Sequence, residues 1–373
     1  EFLPNYDSLG EIKTNKKINW KRASEISVKN KKLNKLFDSG ISIDDICQGQ
    51  LGDCWLLSAI ASLSSQPITL TNAFITKEFN PRGKYKFKIW DPIKQEFIRI
   101  IIDDYIPIDE STNEPIFTRP NGNEIWVMLI EKVFAKFMGN YASIEAGHPI
   151  FAMHILTGQK VSKFVFRNNK WDKTNMKVTK DNKTFKISFF LDNDGEPLDG
   201  DKMYELIAKY SKEGRIMSAS SSGRDNTIEE GRGTKGGIVP GHAYTILQVY
   251  SPLLTLKSGI RLVKLRNPWG AFEWNGDWSD KSDLWKQHPQ IKFEMGFNPP
   301  NKDSHNDGVF YMSWSDFIKY FNGVDVCYHE SDLSSLSLNI YESFNICGPF
   351  IGCLIGCFKY WICCCGFYYL WCM

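Results

Sequence analysis

The chain has 373 residues, of which 42% are hydrophobic and 24% charged, so it can bury one large or two medium hydrophobic cores. Its 45 basic and 43 acidic residues nearly cancel, and no long basic block indicates a nucleic-acid partner. Three of the ten cysteines lie in the first 340 residues, and the other seven lie from Cys347 to Cys372. Three thiols in 340 residues do not form a disulfide framework, and so low a number favours a reducing, cytoplasmic location.

The first half of the chain is predicted to be rich in helices. Residues 1–40 are polar and Lys-rich, so we expect extended chain and a short helix at the surface. Apolar residues at helical spacing predict a buried helix that starts at residue 54 and is ended by Pro67. The other predicted elements of this half are strands at 85–90 and 96–102 and a helix at 124–138.

The second half is predicted to be rich in strands, which makes the fold class α+β. Glycine and proline interrupt the pattern between residues 139 and 158, and we expect the boundary between two lobes there. The Gly-rich segment 220–241 has no periodicity of its own, which is typical of a functional or mobile loop. The elements predicted beyond the boundary are strands at 185–191, 242–250, 260–266 and 309–314 and a helix at 201–213.

Cys54 lies in the run QGQLGDCW, which spans residues 48–55, and it opens the first predicted helix. A cysteine is nucleophilic only as a thiolate, and the partial positive charge and unpaired N–H groups of a helix N-terminus stabilise that anion. Asp53 is a candidate N-cap, while Gly49 and Gly52 allow a turn that presents the sulfur at a surface. The alternative is a buried structural cysteine, the commoner role of a free thiol, which needs no preceding glycines.

His242 is the best of six histidines for the base that takes the thiol proton, because it opens a predicted strand after a glycine. The next predicted strand ends at Asn267. In an antiparallel pair the start of one strand lies beside the end of the next, so Asn267 can reach His242 and orient its ring. A lone histidine is more often a core residue and Asn-Pro an ordinary turn, but the two together favour a catalytic site.

Three motifs together resemble the protease core of the calpain family over about residues 20–330. They are Gln-Gly-x-x-Gly-Asp-Cys-Trp, Gly-His-Ala-Tyr and Arg-Asn-Pro-Trp-Gly, and the segments 20–22, 122–126 and 131–136 are also similar to that family. The resemblance implies a papain-like, two-lobed cysteine protease core. Its helical lobe would span 41–147 and its β-rich lobe 148–330, after an N-terminal extension at 1–40.

The resemblance also implies a role for each motif residue. Cys54 would attack the peptide carbonyl and form a thioester, His242 would pass the proton to the leaving amine, and Asn267 would hold His242. Gln48 would donate to the oxyanion together with the backbone N–H of Cys54, and losing one such donor costs about 10²-fold or more in rate. Trp269 would shield the bond between His242 and Asn267.

Calpain cores are expected to carry one calcium site in each lobe, and hard cations need several oxygen ligands with carboxylates among them. The residues implied for the first site are the acids Asp45 and Glu124 and the carbonyls of Asp38 and Gly40. The residues implied for the second site are the acids Glu273, Asp280 and Asp307 and the carbonyl of His305. The alternative for all of these acids is a solvated loop.

Two positions depart from the family pattern between the lobes. Val309 stands where the family has an acid of the second site, and Ile43 stands where it has the arginine that pairs with that acid. We hypothesise that the two side chains either form a small hydrophobic contact or no longer communicate, so that calcium coupling between the lobes is weak. A steep dependence of activity on calcium would contradict the weak coupling.

Residues 331–373 are predicted to lie outside the core, and after Glu342 their only charge is Lys359. Three interpretations compete for this Cys-rich tail: a membrane-embedded or S-acylated segment at 344–373, a soft-metal site, and non-native sequence. A membrane span would hold Lys359 near its middle at about 2.5 to 3.5 kcal/mol. The metal site lacks histidines and Cys-x-x-Cys spacing. We favour non-native or disordered sequence, with membrane association second.

The sequence as a whole predicts a calcium-regulated cysteine endopeptidase of the cytoplasm that cleaves protein substrates at a few exposed sites. Because the chain starts with Glu1 and no β-sandwich or EF-hand segment follows the core, we expect a longer parent protein. A non-catalytic binding module is the first alternative, although a scaffold has no need for Cys54, His242 and Asn267 together. A membrane-tethered adaptor is the second, and it depends on the tail alone. Substrate sequence and oligomeric state are not predictable from the sequence.

Overall fold

The structure is a computed structural model that describes residues 2–28, 31–38, 40–182, 184–192, 195–223, 236–250, 259–298 and 307–328. All of these residues belong to one compact unit. The tail at 331–373, His305 and much of the segment 220–241 lie outside the described residues, so what was expected of them stays a prediction.

The predicted helices are present, and the helix at Cys54 starts where the sequence places it. It ends at Leu63, four residues before Pro67, and Pro67 itself opens a separate short helix. Proline suits the first turn because it lacks only an N–H that would have no partner there. The α-helices are α1 (Tyr6–Leu9), α2 (Cys54–Leu63), α3 (Pro67–Asn72), α4 (Trp126–Met138), α5 (Pro149–Thr157), α6 (Gly200–Lys212), α7 (Leu284–Gln287), α8 (Pro289–Glu294) and α9 (Trp314–Tyr320). Short 3₁₀ helices lie at Ala23–Glu25, Ile43–Asp45 and Ala142–Ile144.

The strands form one large antiparallel sheet and three two-stranded pairs. The pairs are β1 (Ile18–Arg22) with β6 (Tyr105–Asp109), β2 (Ser27–Val28) with β3 (Lys31–Lys32), and β4 (Lys84–Asp91) with β5 (Glu96–Asp103). The large sheet has the order β13-β12-β11-β10-β14-β7-β8-β9. Its strands are β7 (Val161–Arg167), β8 (Lys170–Asp181), β9 (Thr184–Leu191), β10 (Ile216–Ser221), β11 (Ala243–Val249), β12 (Leu262–Arg266), β13 (Val309–Ser313) and β14 (Phe321–Cys327). Helices with a large antiparallel sheet confirm the α+β class.

The helix α2 lies between the helical part of the chain and the large sheet. All ten of its residues are buried, which is expected of a helix that is apolar on every side. On one side it packs in a buried cluster with α4 and α5. On the other, Thr245 of β11 donates to the Ser58 carbonyl at 3.0 Å, and Ser62 donates to the Met217 carbonyl at 2.9 Å. The helix α2 is therefore held against both parts of the fold.

The helix α5 was not predicted, because the glycines and prolines around it were interpreted as a break. Pro149 is in its first turn, and Gly158 follows it with a left-handed backbone at φ 69°. Proline at the start and glycine just past the end are the usual boundary residues of a helix. Phe151 of α5 packs on Trp55 of α2 with ring centroids 6.3 Å apart, so the first buried cluster continues beyond the boundary expected near residue 147.

A second buried cluster lies around the large sheet, α6 and α9, and a third, smaller one surrounds Trp285. The strands β7, β8, β10 and β14 were also not predicted, because their charged and small residues obscure the alternation. Among the helices of the described ranges, none has both the length and the apolar character needed to cross a membrane. The division into papain-like lobes at 41–147 and 148–330 stays a prediction.

Candidate active site

Cys54 is the first residue of α2, and only 6% of its surface is exposed. The first turn of a helix has N–H groups without intrahelical partners, so this position stabilises a thiolate. Asp53 occupies the N-cap position, but its side chain makes no capping hydrogen bond. The capping role predicted for Asp53 is therefore wrong, because this carboxyl is buried behind the helix start.

The side chain of Asp53 belongs to a buried pair of acids with Glu131 of α4. Both oxygens of Asp53 are buried and accept no hydrogen bond from another described residue, but the side chain of Asp53 interacts with that of Glu131. Glu131 also accepts from the backbone N–H of Thr118 at 2.9 Å and from its hydroxyl. Burial, and then the charge of Glu131, raises the pKa of Asp53 well above its usual range. Burial raises the pKa of Glu131 to about 7 against the opposing bonds from Thr118 and Asp53. Since the bond between the two acids raises the pKa of Asp53 and lowers that of Glu131, and Thr118 donates only to Glu131, the proton of the pair resides on Asp53.

The segment before Cys54 is shaped by a close backbone approach at Gly49. A Cβ added at Gly49 would lie 1.7 Å from the carbonyl oxygen of Phe117, so no other residue fits without moving the backbone. The amide of Gln48 donates from Nε2 to the Leu51 carbonyl at 2.7 Å, and its Oε1 is buried without a described partner. Gln48 therefore lies next to the start of α2 but is occupied within its own loop.

His242 and Asn267 meet as the sequence predicts. Their strands β11 and β12 pair antiparallel, with Thr245 opposite Arg266, and the Nε2 of His242 lies 3.0 Å from the Oδ1 of Asn267. With Nε2 donating to Asn267, the Nδ1 of His242 carries a lone pair, and that atom has no hydrogen-bond partner in the described part of the chain. Burial lowers the pKa of His242 to about 4, opposed by the Asn267 bond.

Trp269 packs on the ring of His242, with centroids 4.6 Å apart and the planes at 52°. Its backbone N–H donates to the same Oδ1 of Asn267 at 3.0 Å, and the Asn267 Nδ2 donates to the Phe272 carbonyl at 3.3 Å. These bonds fix the amide orientation of Asn267, with its oxygen toward the imidazole. The structure thus places Trp269 over the histidine and asparagine pair.

Cys54 and His242 line one cavity of about 160 Å³. The remaining wall consists of small residues and of the Trp55 ring: Gly52, Trp55, Ala146, Gly147, Pro149, Ser220, Ser221, Gly241 and Ala243. Gln48, Asn267 and Trp269 are not in this wall. A cavity bordered by glycines allows an extended peptide backbone to approach the sulfur closely.

Ser221 and Arg266 support the site and were not predicted. The Ser221 hydroxyl accepts from the backbone N–H of His242 at 2.9 Å and donates to the Val239 carbonyl at 2.6 Å, which fixes the chain where β11 begins. Arg266 is 2% exposed and donates to the Ile46 carbonyl at 3.3 Å, just before the Gln48 loop. The sequence signal for Arg266 was its place in the Arg-Asn-Pro-Trp-Gly motif, whereas Ser221 has no such signal.

The first predicted calcium site gathers its two acids. Glu124 is 3% exposed and accepts from the backbone N–H of Asp38 at 3.2 Å. Burial and the nearby charge of Asp45 raise the pKa of Glu124 to about 7. Neither Asp45 nor Glu124 forms an ion pair with a described lysine or arginine. Two neighbouring carboxyl groups supply the oxygen ligands that Ca²⁺ prefers. The carboxylate of Asp38 instead pairs with Lys35 at 2.6 Å, and Gly40 lies two residues further on.

The second predicted calcium site is only partly visible, because His305 lies outside the described residues. Burial, followed by the charges of Asp280 and Asp307, raises the pKa of Glu273 to about 7, so these acids are near one another. Glu273 and Asp307 are each engaged by a backbone N–H, at 2.9 and 2.8 Å. Within the described ranges, no group of three or more His, Cys, Asp or Glu side chains is arranged to hold a metal ion.

The two apolar departures lie in different parts of the fold. Ile43 packs against the first buried cluster, and Val309 opens β13 opposite Arg266. The hypothesis of weak calcium coupling between the lobes stays a prediction.

Comparison with known proteins identifies the family. A family model described as "Calpain family cysteine protease" matches residues 1–328. The rice (Oryza sativa subsp. japonica) protein "Calpain-type cysteine protease ADL1" is 34% identical over 308 residues, which cover 82% of this chain and 12% of the rice protein. Human calpain-9 is 31% identical over 314 residues, which cover 83% of this chain and 39% of calpain-9. The chain therefore spans less than half the length of these relatives, and it belongs to the calpain family of cysteine proteases.

Proposed function

We propose that this chain is a cysteine endopeptidase in which Cys54, His242 and Asn267 act as a triad. The observation that carries the proposal is the 3.0 Å contact between the His242 Nε2 and the Asn267 Oδ1. The Nδ1 of the same histidine has no hydrogen-bond partner among the described residues, and His242 shares a cavity with Cys54. A structural cysteine and a core histidine would not require this arrangement. The membership of the calpain family supports peptide bonds as the substrate.

The reaction begins when the Nδ1 of His242 accepts the thiol proton and the sulfur of Cys54 attacks the substrate carbonyl carbon. The resulting oxyanion accepts hydrogen bonds from the backbone N–H of Cys54 and from one N–H of the Gln48 Nε2. The other N–H of that amide donates to the Leu51 carbonyl. The tetrahedral species collapses to a thioester as Nδ1 gives the proton to the leaving amine. Water, deprotonated by the same nitrogen, then hydrolyses the thioester.

The electrostatics of the site favour a neutral His242 that acts as the general base. Burial holds the pKa of His242 near 4, so the imidazole is neutral at pH 7. Asn267 adds a bond that favours the protonated ring and fixes its orientation.

Calcium regulation is a further part of the proposal. Asp45, Glu124 and the carbonyls of Asp38 and Gly40 would hold Ca²⁺ in the first site, since the two acids already lie close together. A bound cation would supply the positive charge that this acid pair lacks among the described residues. We also propose the papain-like two-lobed arrangement and a cytoplasmic location, for which the paucity of cysteines in the core is the support.

The test is casein and peptide hydrolysis over a range of calcium concentrations by the chain and its variants. Cys54→Ser should abolish hydrolysis, because a neutral hydroxyl is a far weaker nucleophile than a thiolate. The matched control is Cys47→Ser, which removes a nearby thiol that is not in the cavity wall and should leave hydrolysis intact. Equal activity of the chain and Cys54→Ser would refute the triad. A chain that binds casein with no hydrolysis at any calcium concentration would instead support the non-catalytic alternative.

A further inference from the structure

A second cavity, of about 260 Å³, adjoins the catalytic one. The two share Ser220, and the neighbours His148 and Pro149 line one cavity each. The described wall of the second cavity consists of His148, Lys163, Val165, Arg167, Thr174, Phe189, Leu191, Ser220 and Asn322. We call this second cavity the sheet groove, because all of these residues except His148 come from β7, β8, β9, β10 and β14.

The register of the large sheet explains why the sheet groove is open. Gly323 of β14 lies opposite Ser220 of β10 on one side and opposite Val165 of β7 on the other. A Cβ at Gly323 would already lie 3.3 Å from the Ser220 Cβ and 3.4 Å from the Lys163 Nζ. A longer side chain there would fill the space between the strands. Glycine at this position thus leaves space beside Ser220, the residue that the two cavities share.

The sheet groove presents fixed cationic donors. Lys163 pairs with Asp325 at 3.1 Å, and the two side chains are 13% and 0% exposed. Ser218 donates to the other oxygen of Asp325 at 3.4 Å, so the buried carboxylate is anchored and holds the ammonium in place with donors to spare. Arg167, at the exposed end of β7, forms no ion pair with any residue of the described ranges. Its guanidinium adds an uncompensated positive charge to the rim.

The opposite wall of the sheet groove is apolar. Phe189 packs edge-on against His148 with centroids 4.9 Å apart, and the Lys163 ammonium lies 5.8 Å from the same ring. Leu191 is 53% exposed beside it. An occupant therefore needs an aliphatic stem to cover the apolar wall and an anionic end to meet the cations, which is the chemistry of an acidic side chain.

We infer that the sheet groove is a specificity subsite that binds a glutamate or aspartate on the acyl side of the cleaved bond. The inference rests on the proposed function. The sheet groove meets the catalytic cavity at Ser220, and the subsite assigns the acyl part of the substrate to this side of the cavity, away from Trp269, which lines neither cavity. The carboxylate of the bound residue is placed between Arg167 and Lys163.

The test uses tetrapeptides that carry an aminocoumarin leaving group, so that every amino acid lies on the acyl side. Glutamate is compared with glutamine at each position beyond the first, for the chain and for Arg167→Gln. We expect a roughly five-fold preference in kcat/KM for glutamate at one position, as exposed to half-buried ion pairs give, and its loss in Arg167→Gln. The matched control is Arg99→Gln, which removes an exposed strand arginine elsewhere and should keep the preference.

Two further measurements keep the inference distinct from the proposed function. Gly323→Val should lower kcat/KM for large residues at the selected position while leaving glycine there unaffected. Binding of the glutamate and glutamine peptides to Cys54→Ser tests the groove without catalysis and should show the same preference. Hydrolysis without a glutamate preference, or a preference that survives Arg167→Gln, would overturn the subsite. Absence of all hydrolysis would refute the proposed function, and the peptide-binding comparison would still decide the subsite.

Discussion

Replacing Glu131 by glutamine should change how the stability of the fold depends on pH. Burial raises the pKa of Glu131 from its ordinary 4.5 to about 7. As the pH rises above 4.5 the unfolded chain releases this proton first, so the folded state loses stability until about pH 7. The difference between the two pKa values corresponds to on the order of 3 kcal/mol. Glu131→Gln keeps an amide oxygen that accepts from Thr118 and from the protonated Asp53, and it cannot ionise, so the variant should be more stable than the parent at pH 7.

Urea unfolding of the chain and of Glu131→Gln at pH 5, 6, 7 and 8 measures this effect. Burial lowers the pKa of His242 to about 4, so its contribution is lost as the pH falls from 6.5 toward 4, in the opposite sense. The difference between variant and parent removes that contribution, because both contain His242. The control Glu145→Gln removes an exposed acid near Asp53 and should leave the profile nearly unchanged. Parallel profiles of the chain and Glu131→Gln would refute the buried acid pair.

Three further variants test the support of the site. Asn267→Ala should lower kcat by about 10²-fold or more with little change in KM, because His242 loses its orienting partner; an unchanged kcat would contradict that role. Gly49→Ala should destabilise the fold by several kcal/mol in urea, since its Cβ would lie 1.7 Å from the Phe117 carbonyl oxygen; unfolding at the parent's urea concentration would count against the close approach. Arg266→Met should retain or raise the free energy of unfolding, because a buried charge is removed. It should lower kcat/KM, because the hydrogen bond that anchors the loop before Cys54 is lost. Full activity would show that this anchor is unnecessary.

The sequence predicted the elements that carry the chemistry well, because their signals are local. The start of α2 at Cys54 follows from a glycine-rich turn and an apolar helical stripe. The meeting of His242 and Asn267 follows from antiparallel pairing of neighbouring strands, and the 3.0 Å contact confirms that geometry. In each case a few consecutive residues contained the necessary information.

The contacts that the sequence did not predict are long-range. Asp53 was expected to cap α2, but its partner is Glu131 on another helix, and no local pattern reveals that pairing. Pro149 and Gly158 were interpreted as a break, although they mark the start and the end of α5. Proline and glycine occur both in loops and at helix boundaries, so the local pattern was ambiguous. The role of Gly323 depends on the register of β14 between two distant strands, which only the folded sheet determines.

Acid-quenched mass spectrometry during turnover of a peptide ester tests the central claim most directly. Slow hydrolysis of the thioester should allow the acyl group to be detected on the peptide that contains Cys54, and the adduct should be absent in Cys54→Ala. Its amount should fall in Asn267→Ala, because His242 would no longer be held for attack. Turnover by the chain with the acyl group on another residue, or undiminished turnover by Cys54→Ala, would contradict the account.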